Sequence, residues 1–453
     1  MLTISDILSL TRGRLLAGDL KAKVSSVSTD TRTLAPGALF VTLKGKNFDG
    51  HRFVSLAIRK GAAALLVSRP VLLSPRVSVP VICVNDPQKA YGDLARGFRE
   101  RFKIPVVAIT GSVGKTTTKE LIAAVLSSQR RVLKNRGTEN NEIGVAKTLL
   151  GLRPRHQVAV LEFGTNHFGE IARLASIGRP TVAVLTNIGE SHLEFLKDRR
   201  GVFKEKSALV KALEPKDTVL YNSDDDLLRT LGKKHAARST ITFALDRDAS
   251  YRATNIIFKK DHLCFSVGRH AFCLKTLSRD NVNNALAAIA IGRLFGLSWK
   301  TIAQALRRAK FPRGRQNILK VSGVVIIDDT YNANPTSVAG ALATLRRFPS
   351  SGKRIFVFGD MRELGTAASR AHGKIGKLAA AHKVDLLLTY GRWSRRTSQE
   401  ATKNNISCIH CKTHDAVVRE LRKAACPGDV ILVKGSRGMR MEKVVEKIKP
   451  FHF

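Results

Sequence analysis

Short runs of β-branched and aliphatic residues recur along the chain, separated by longer stretches whose apolar residues fall at helical spacing. Residues 106–109 form one such run and read as a buried strand. The turn Gly111-Ser112-Val113-Gly114 follows, and Lys115-Thr116-Thr117 opens a helical pattern carried by Leu121, Ile122, Val125 and Leu126. Further strands are expected at 158–161, 182–186 and 219–221, with helices at 196–209 and 285–290. Alternation of this kind belongs to a parallel sheet with crossover helices. Upstream, the pattern predicts strands at 38–43 and 62–67 around a short helix containing Phe53, Ala57 and Ile58. Downstream, strands are expected at 324–327, 355–358, 386–388 and 430–433, again with helices between. Pro312-Arg313-Gly314-Arg315 reads as a hinge-like linker. The expectation is an α/β protein of three modules: a small N-terminal one (1–104), a central one with a mostly parallel sheet (105–312), and a C-terminal, doubly wound, Rossmann-like one (313–453).

The strand, glycine turn, Lys-Thr and helix centred on Gly111 make a phosphate cradle. Backbone N–H groups at a helix start carry partial positive charge and point outward, so they hold an anion. Lys115 adds a mobile full charge for β- and γ-phosphates, and the Thr116 hydroxyl can reach Mg²⁺. Ile109 stands where the longer G-x-x-x-x-G-K-[ST] pattern has its first glycine, so this is a shortened form. ATP binding follows, in a P-loop type of central module. In open parallel sheets ligands bind beyond the carboxyl ends of strands. Glu162, after 158–161, and His192, after 182–186, are thereby placed to meet metal or phosphate. On residue pattern alone, Lys204 and Lys206 fit a solvated basic helix face, and the polar start at Asp280 fits a helix cap. Asp30, Arg32 and His51 fit either a site for a phosphorylated ligand or a plain ion pair and a capping histidine.

Charge changes the picture less than its size suggests. There are 77 basic and 36 acidic residues, a net +41. Such a balance draws anions, nucleic acid among them. The basic residues are scattered, however, without a long basic tail, and aromatics make up only 6%, which leaves few stacking platforms. Nucleic acid is therefore not the expected partner. No apolar run approaches the ~18 residues of a membrane span, and residues 1–10 lack a signal pattern, so a cytoplasmic protein is expected. The six cysteines include one C-x-x-C, Cys408 to Cys411, without a second half at zinc-site spacing. Free thiols in a reducing compartment are the expectation.

Taken together, the motifs resemble the Mur ligase family over essentially the whole length. In the first module they are D-T-R (30–32), P-G-A-L-F-V (36–41) and D-G-H-R-F (49–53). In the second they are T-G-S-V-G-K-T-T-T-K-E, N-N-E-I-G (140–144), E-F-G (162–164), T-N-I-G-E-S-H-L-E (186–194) and N-V-N-N-A (281–285). In the third they are P-R-G-R (312–315), D-D-T-Y-N-A-N-P (328–335), G-D-M-R-E-L-G (359–365) with His372, and V-K-G-S-R (433–437). D-D-T-Y-N-A-N-P and G-D-M-x-E-L-G point to the last ligase of the series. The D-N-P-R block of many diaminopimelate-adding members is absent.

The resemblance implies an amide ligase using ATP and Mg²⁺. Its substrates would be UDP-N-acetylmuramoyl-tripeptide and D-alanyl-D-alanine, joined by a monomer through an acyl phosphate. The alternatives are a sibling ligase adding the third amino acid and a folylpolyglutamate-type ligase. By the same resemblance, Ser28, Thr31, Arg32 and the 44–53 loop with Asp49, Gly50 and His51 would hold the UDP-substrate, joined by Asn141, Asn332 and Asn334. Gly111, Ser112, Val113, Gly114, Lys115, Thr116 and Thr117 would hold the ATP phosphates, with Asn284, Arg315 and Asp329 also on the nucleotide. Thr116, Glu162, His192 and Lys206 would serve the metal, Lys206 as a carbamate, and Lys115, His192 and Lys206 would be catalytic. Asp280 departs from the family, which often has His there. Ala208, Ser191 and Ala146 depart from an acidic residue, Ala and Pro respectively.

Overall fold

The structure is a computed structural model describing residues 2–45, 47–71, 79–234, 239–259 and 262–449. Contacts group the chain into two compact units. The first comprises Met1–Ala108, Arg131–Gly164 and Glu170–Thr181; the second comprises Ile109–Arg130, Thr165–Gly169 and Val182–Phe453.

The first unit holds a five-stranded sheet in the order Arg14–Ala17, Val81–Cys83, Ala64–Val67, Ala38–Val41, Ser26–Ser28. Its first pair is antiparallel and the rest are parallel. Phe40, Val54, Ala57, Leu65 and Val67 form its core. The strand expected over 38–43 stops at Val41, because the backbone N–H and the hydroxyl of Thr42 both donate to the Leu66 carbonyl (3.0 Å each). The strand expected from 62 begins at Ala64: Ala62 N–H is still engaged by the Ala57 carbonyl at the preceding helix end. Strands Val132–Lys134 and Val158–Glu162 pair in parallel in the same unit. The 106–109 run becomes Val106–Thr110, buried throughout.

In the second unit, strands Val182–Leu185, Thr218–Asn222, Ser239–Ala244 and Tyr251–Phe258 pair in parallel in that order. Leu263–Val267 and His270–Leu274 extend them as an antiparallel hairpin. A separate six-stranded sheet runs Asn317–Val321, Val324–Asp329, Val430–Lys434, Arg354–Gly359, Leu386–Tyr390, Ser407–Cys411. All but the first strand are parallel. Alternate residues point to opposite faces. Ile327, Phe356, Phe358, Leu387 and Leu432 therefore build one core, and Ile326, Ile355, Val357, Leu388 and Ile431 the other, which is why both faces carry helices.

Three expectations need correction. The helix expected over 196–209 is broken: Leu193–Leu196 and Arg199–Lys211 are separate. Lys197 turns left-handed (φ 70°), and the Asp198 carboxylate caps the second helix by accepting from Gly201 N–H at 2.7 Å. Apolar spacing alone does not register a cap inside a run. Asp280 does not cap its helix; it is the first residue of Asp280–Leu294, after Arg279. Finally, two of the six cysteines are not thiols. Cys264 and Cys273 lie directly opposite in the hairpin, with Cα atoms 4.1 Å apart, and are disulfide-bonded. Cys408 and Cys411, the pair that sequence spacing picks out, sit on one strand three residues apart and face opposite cores. Among the described residues, no helix is long and apolar enough to cross a membrane.

Candidate functional site

The cradle is held open by contacts that exclude side chains. A Cβ on Gly111 would come within 1.9 Å of Thr186 Oγ1, and one on Gly114 within 2.4 Å of Asn284 Oδ1. Gly114 is also left-handed (φ 85°) and occupies the cap position of helix Lys115–Leu126, with no side chain covering the first amides. The turn is pinned from below. Val113 N–H donates to Asn187 Oδ1 (2.9 Å), and Thr186 Oγ1 donates to the Val113 carbonyl (2.6 Å). Ser112 Oγ accepts from Gly189 N–H (2.9 Å) and from the Ser191 hydroxyl (3.0 Å). Lys115 Nζ donates to the Gly111 carbonyl at 2.8 Å, folded back over its own turn. Thr116 and Thr117 are both 4% exposed.

Two residues distant in sequence converge here. The Arg315 guanidinium lies over the Tyr331 ring at 4.0 Å and donates to Thr116 Oγ1 at 2.9 Å. His192, itself left-handed (φ 53°), brings Nδ1 to 2.6 Å from Glu363 Oε2. Hydrogen bonding from His192 keeps the Glu363 carboxyl below its usual range, so it is ionised and Nδ1–H must donate. Burial pushes the His192 pKa down, with the Lys115 and Lys206 charges adding to this and Glu363 opposing it. A neutral imidazole leaves Nε2 as an electron-pair donor. Glu363 had no expected role; its partner lies 171 residues away, beyond the reach of local pattern.

Lys206 is 1% exposed and Lys204 is exposed, its ammonium 5.7 Å from the Phe168 ring. The solvated-face reading therefore holds for Lys204 and fails for Lys206. In the first unit Glu162 is 1% exposed, and its Oε1 accepts from Asn140 Nδ2 at 2.8 Å. Its Oε2 is buried with no hydrogen-bond partner among the described residues. An orphaned carboxylate oxygen suits a hard cation.

Other expected residues are occupied structurally. Asn284 Oδ1 accepts from the Thr118 hydroxyl and its Nδ2 donates to Asn281 Oδ1, both at 3.0 Å. Asp329 is 7% exposed and paired with Lys434 at 2.6 Å. Asn141 and Asn334 cap helices, accepting from Gly144 N–H (2.9 Å) and Ser337 N–H (2.8 Å). Asn332 Oδ1 accepts from Ala333 N–H at 2.9 Å.

In the first unit Asp30 pairs with Arg32 at 2.7 Å, which pulls the Asp30 carboxyl down to about 2. The Ser28 hydroxyl donates to the Asp30 carbonyl, and the Thr31 carbonyl accepts from Lys60 Nζ. Ser68 N–H donates to His51 Nε2 (3.2 Å), so Nδ1–H donates to Asp49 Oδ1 (2.8 Å). Asp49 also caps the short helix Gly50–Phe53. Lys46, in the expected 44–53 loop, lies outside the described residues.

Beside the cradle is a cleft of about 190 Å³, sharing Val113 and Gly114 with it. Thr186, Asn187, Phe243, Asp280, Asn283, Asn284, Thr336 and Gly340 complete its walls. Sequence reading singles out Asn284 there. Asn283 entered only as part of N-V-N-N-A (281–285), with no role given, and Phe243 carried no signal.

Comparison with known proteins agrees with this arrangement. Residues 23–99 match the Mur ligase family catalytic domain, 109–292 the Mur ligase middle domain, and 314–437 the Mur ligase glutamate ligase domain. The UDP-N-acetylmuramoyl-tripeptide–D-alanyl-D-alanine ligase of Bacillus subtilis is 34% identical over 452 residues, covering 98% of each chain. The crystal structure of MurF from Acinetobacter baumannii superposes with a TM-score of 0.91 at 30% identity, over 99% of each chain. That of MurF from Thermotoga maritima in complex with ADP does so with a TM-score of 0.83 at 28% identity, over 94% of this chain and 97% of the other. Identity at this level, sustained end to end across the cradle and both flanking regions, means that the chain belongs to the Mur ligase family.

Proposed function

We propose that the protein joins D-alanyl-D-alanine to UDP-N-acetylmuramoyl-tripeptide at the expense of ATP, by way of an acyl phosphate. The relatives named above support the substrates, and the Thermotoga neighbour's ADP supports the nucleotide. The observation that carries the reading is the cradle itself: a glycine turn closed to side chains, a helix start with no side-chain cap, and Lys115 folded over the turn.

In this reading the tripeptide carboxylate attacks the γ-phosphorus of ATP, forming a C–O–P bond as the bond to ADP breaks. The D-alanyl-D-alanine amine then attacks the acyl carbon, and inorganic phosphate leaves. Two anions must meet in the first step, so the chain has to neutralise charge. Lys115 and the cradle amides do this where it develops. Mg²⁺, when bound, would screen the phosphate oxygens. By the family resemblance Thr116, Glu162, His192 and Lys206, the last as a carbamate, would hold it, and each side chain taken by itself is of a kind that suits the ion. Glu162 has a buried oxygen with no hydrogen-bond partner among the described residues, burial favours the neutral form of His192, and Lys206 is buried where a carbamate would be protected. Arg315, donating to Thr116 from the 312–315 linker, adds a further positive charge at that end of the cradle.

The functional division we propose is 1–104 for the UDP-substrate, with Ser28, Thr31, Arg32, Asp49, Gly50 and His51; 105–312 for ATP; and 313–453 for closure through Arg315 and Asp329. We assign Asn141, Asn332 and Asn334 to the substrate by the family resemblance alone, each already accepting from a backbone N–H. The test is ADP release with UDP-N-acetylmuramoyl-tripeptide and ATP, with and without D-alanyl-D-alanine. Release that depends on both substrates and yields an amide product is expected. Release indifferent to D-alanyl-D-alanine but stimulated by a third-position amino acid would replace this reading with that of the sibling ligase.

A further inference from the structure

The hairpin of Leu263–Val267 and His270–Leu274 turns through Gly268 and Arg269. A two-residue turn makes Val267 and His270 a hydrogen-bonded pair, and pairs then alternate along the ladder. Cys264 and Cys273 fall on a non-hydrogen-bonded pair, where opposite side chains approach most closely. The same alternation sets the faces. Leu263, Phe265, Val267, Phe272 and Leu274 are buried, and Phe272 packs on Trp299 with ring centres 6.2 Å apart. The cysteines occupy the other face and are half-buried. His262 precedes Cys264 by two residues and reaches the same side. One of its ring nitrogens and the two sulfurs all lie within 4.8 Å of one another.

A disulfide staple needs only the two cysteines and leaves the third donor unexplained. Two thiolates and an imidazole form a donor set that suits Zn²⁺ and not the hard ions Mg²⁺ or Ca²⁺. Two thiolates on one tetrahedral Zn²⁺ stand roughly 3.8 Å apart for Zn–S bonds of about 2.3 Å. Side chains on Cα atoms 4.1 Å apart reach that span by rotation about their Cα–Cβ bonds. The thiolates also cancel the charge of a divalent ion, which a chain of net charge +41 otherwise repels. We propose that His262, Cys264 and Cys273 form a thiol-gated zinc site, shut while the sulfurs are bonded to each other and open to one Zn²⁺ once they are reduced. A dithiol reductant opens it. One of its thiolates attacks a cysteine sulfur, its second thiol completes the exchange, and it leaves as a cyclic disulfide, having passed two electrons and two protons to the cysteines. Zn²⁺ then displaces both thiol protons. Three protein ligands leave the fourth tetrahedral position to water. None of these residues serves ATP or substrate in the ligase reading, so the inference does not depend on it.

The test is a metal titration of the whole chain, reduced with a phosphine, which does not compete for the ion as a dithiol does. A Trp393→Phe background leaves Trp299, stacked on His270 and Phe272, as the emission probe of the hairpin. Reduced protein should take up Co²⁺ with a thiolate charge-transfer band in the near ultraviolet and the strong ligand-field bands of a tetrahedral ion, and Zn²⁺ should bleach both. Protein oxidised before the metal is added should show neither. Cys264→Ser with Cys273→Ser should abolish the bands although Cys83, Cys408, Cys411 and Cys426 remain. His262→Ala should weaken Zn²⁺ binding by at least roughly tenfold, since even groups one shell beyond the ligands are worth about 10- to 100-fold. His262→Cys, which restores a soft donor, should recover the affinity. Unchanged Trp299 emission shows that a variant keeps the hairpin. The proposal is overturned if reduced protein with unchanged Trp299 emission shows no thiolate band, or if reduction alone shifts that emission. It is equally overturned if the bands survive loss of both cysteines, or if His262→Ala binds Zn²⁺ as tightly as the unaltered chain.

Discussion

Lys434→Met tests how the C-terminal sheet is held beside the site. Lys434 is 1% exposed and its ammonium has two partners, Asp329 Oδ2 at 2.6 Å and the Asn332 carbonyl at 2.9 Å. Asp329 and Lys434 sit at matched positions on neighbouring parallel strands, so the pair joins the ends of two strands. Methionine keeps the length and packing of the lysine stem and removes only the charge. The Asp329 carboxylate is then left buried without its counter-ion. Its surroundings cannot absorb it: burial already pushes the neighbouring Asp328 carboxyl up, and the Asp329 charge adds to this. Breaking one side of a buried pair costs roughly 3–5 kcal/mol. Removing both charges at once costs much less, because no uncompensated ion remains. Asp329→Asn with Lys434→Met should therefore recover at least half of the loss. The chain has two tryptophans, Trp299 and Trp393. A Trp299→Phe background leaves Trp393, packed against the core of the C-terminal sheet, as the sole emission probe. Urea midpoints with unchanged slopes give the differences. A loss below about 1 kcal/mol, or a double variant no more stable than Lys434→Met, would refute the view that Asp329 depends on Lys434 for its charge.

Further expectations concern the site and the first unit. Lys115→Ala removes the mobile charge of the cradle and should lower ligation by at least roughly 100-fold, read as ADP release; near-normal turnover would count against the phosphate assignment. Lys206→Ala should be impaired and partly rescued by a short carboxylic acid, with no rescue by Lys206→Arg, because the need there is for negative charge; indifference to the alanine change would leave Lys206 a packing residue. In the first unit the Asp30 carboxyl titrates near 2 because Arg32 holds its charged form. Its contribution to stability is present above the unfolded carboxylate range and is lost as pH falls toward 2. An NMR titration should find its midpoint rising toward the model-peptide value of about 3.9 in Arg32→Ala, and an unmoved midpoint would mean that the pair does not form in solution.

Local pattern carried the central strands, which are buried on both faces and read as continuous apolar runs, and missed others such as Tyr251–Phe258, Leu263–Val267 and Asn317–Val321, whose residues are only partly buried. It carried the cradle too, since a turn that must bring backbone amides to a phosphate restricts its own residues to glycine, lysine and threonine. It misjudged 196–209, where a capping aspartate interrupts the helix, and the cysteines, where the eye falls on Cys408 and Cys411. Strand register decided for Cys264 and Cys273 instead.

What the chain determined by itself, then, was the class of fold and the anion site, because both leave local signatures in the residue pattern, apolar strand runs and a Gly-x-x-Gly-Lys-Thr turn, even though distant residues such as Thr186 and Asn187 hold that turn in place. Only the tertiary structure decided which side chains are spent and which remain available. Asn284 is consumed by Thr118 and Asn281, Asp329 by Lys434, and His192 is turned by Glu363, whereas among the described residues Asn283 Oδ1 and one oxygen of Glu162 have no hydrogen-bond partner. The physical reason is that a buried polar atom must find its partner wherever the fold brings one, and most of these partners lie far along the chain.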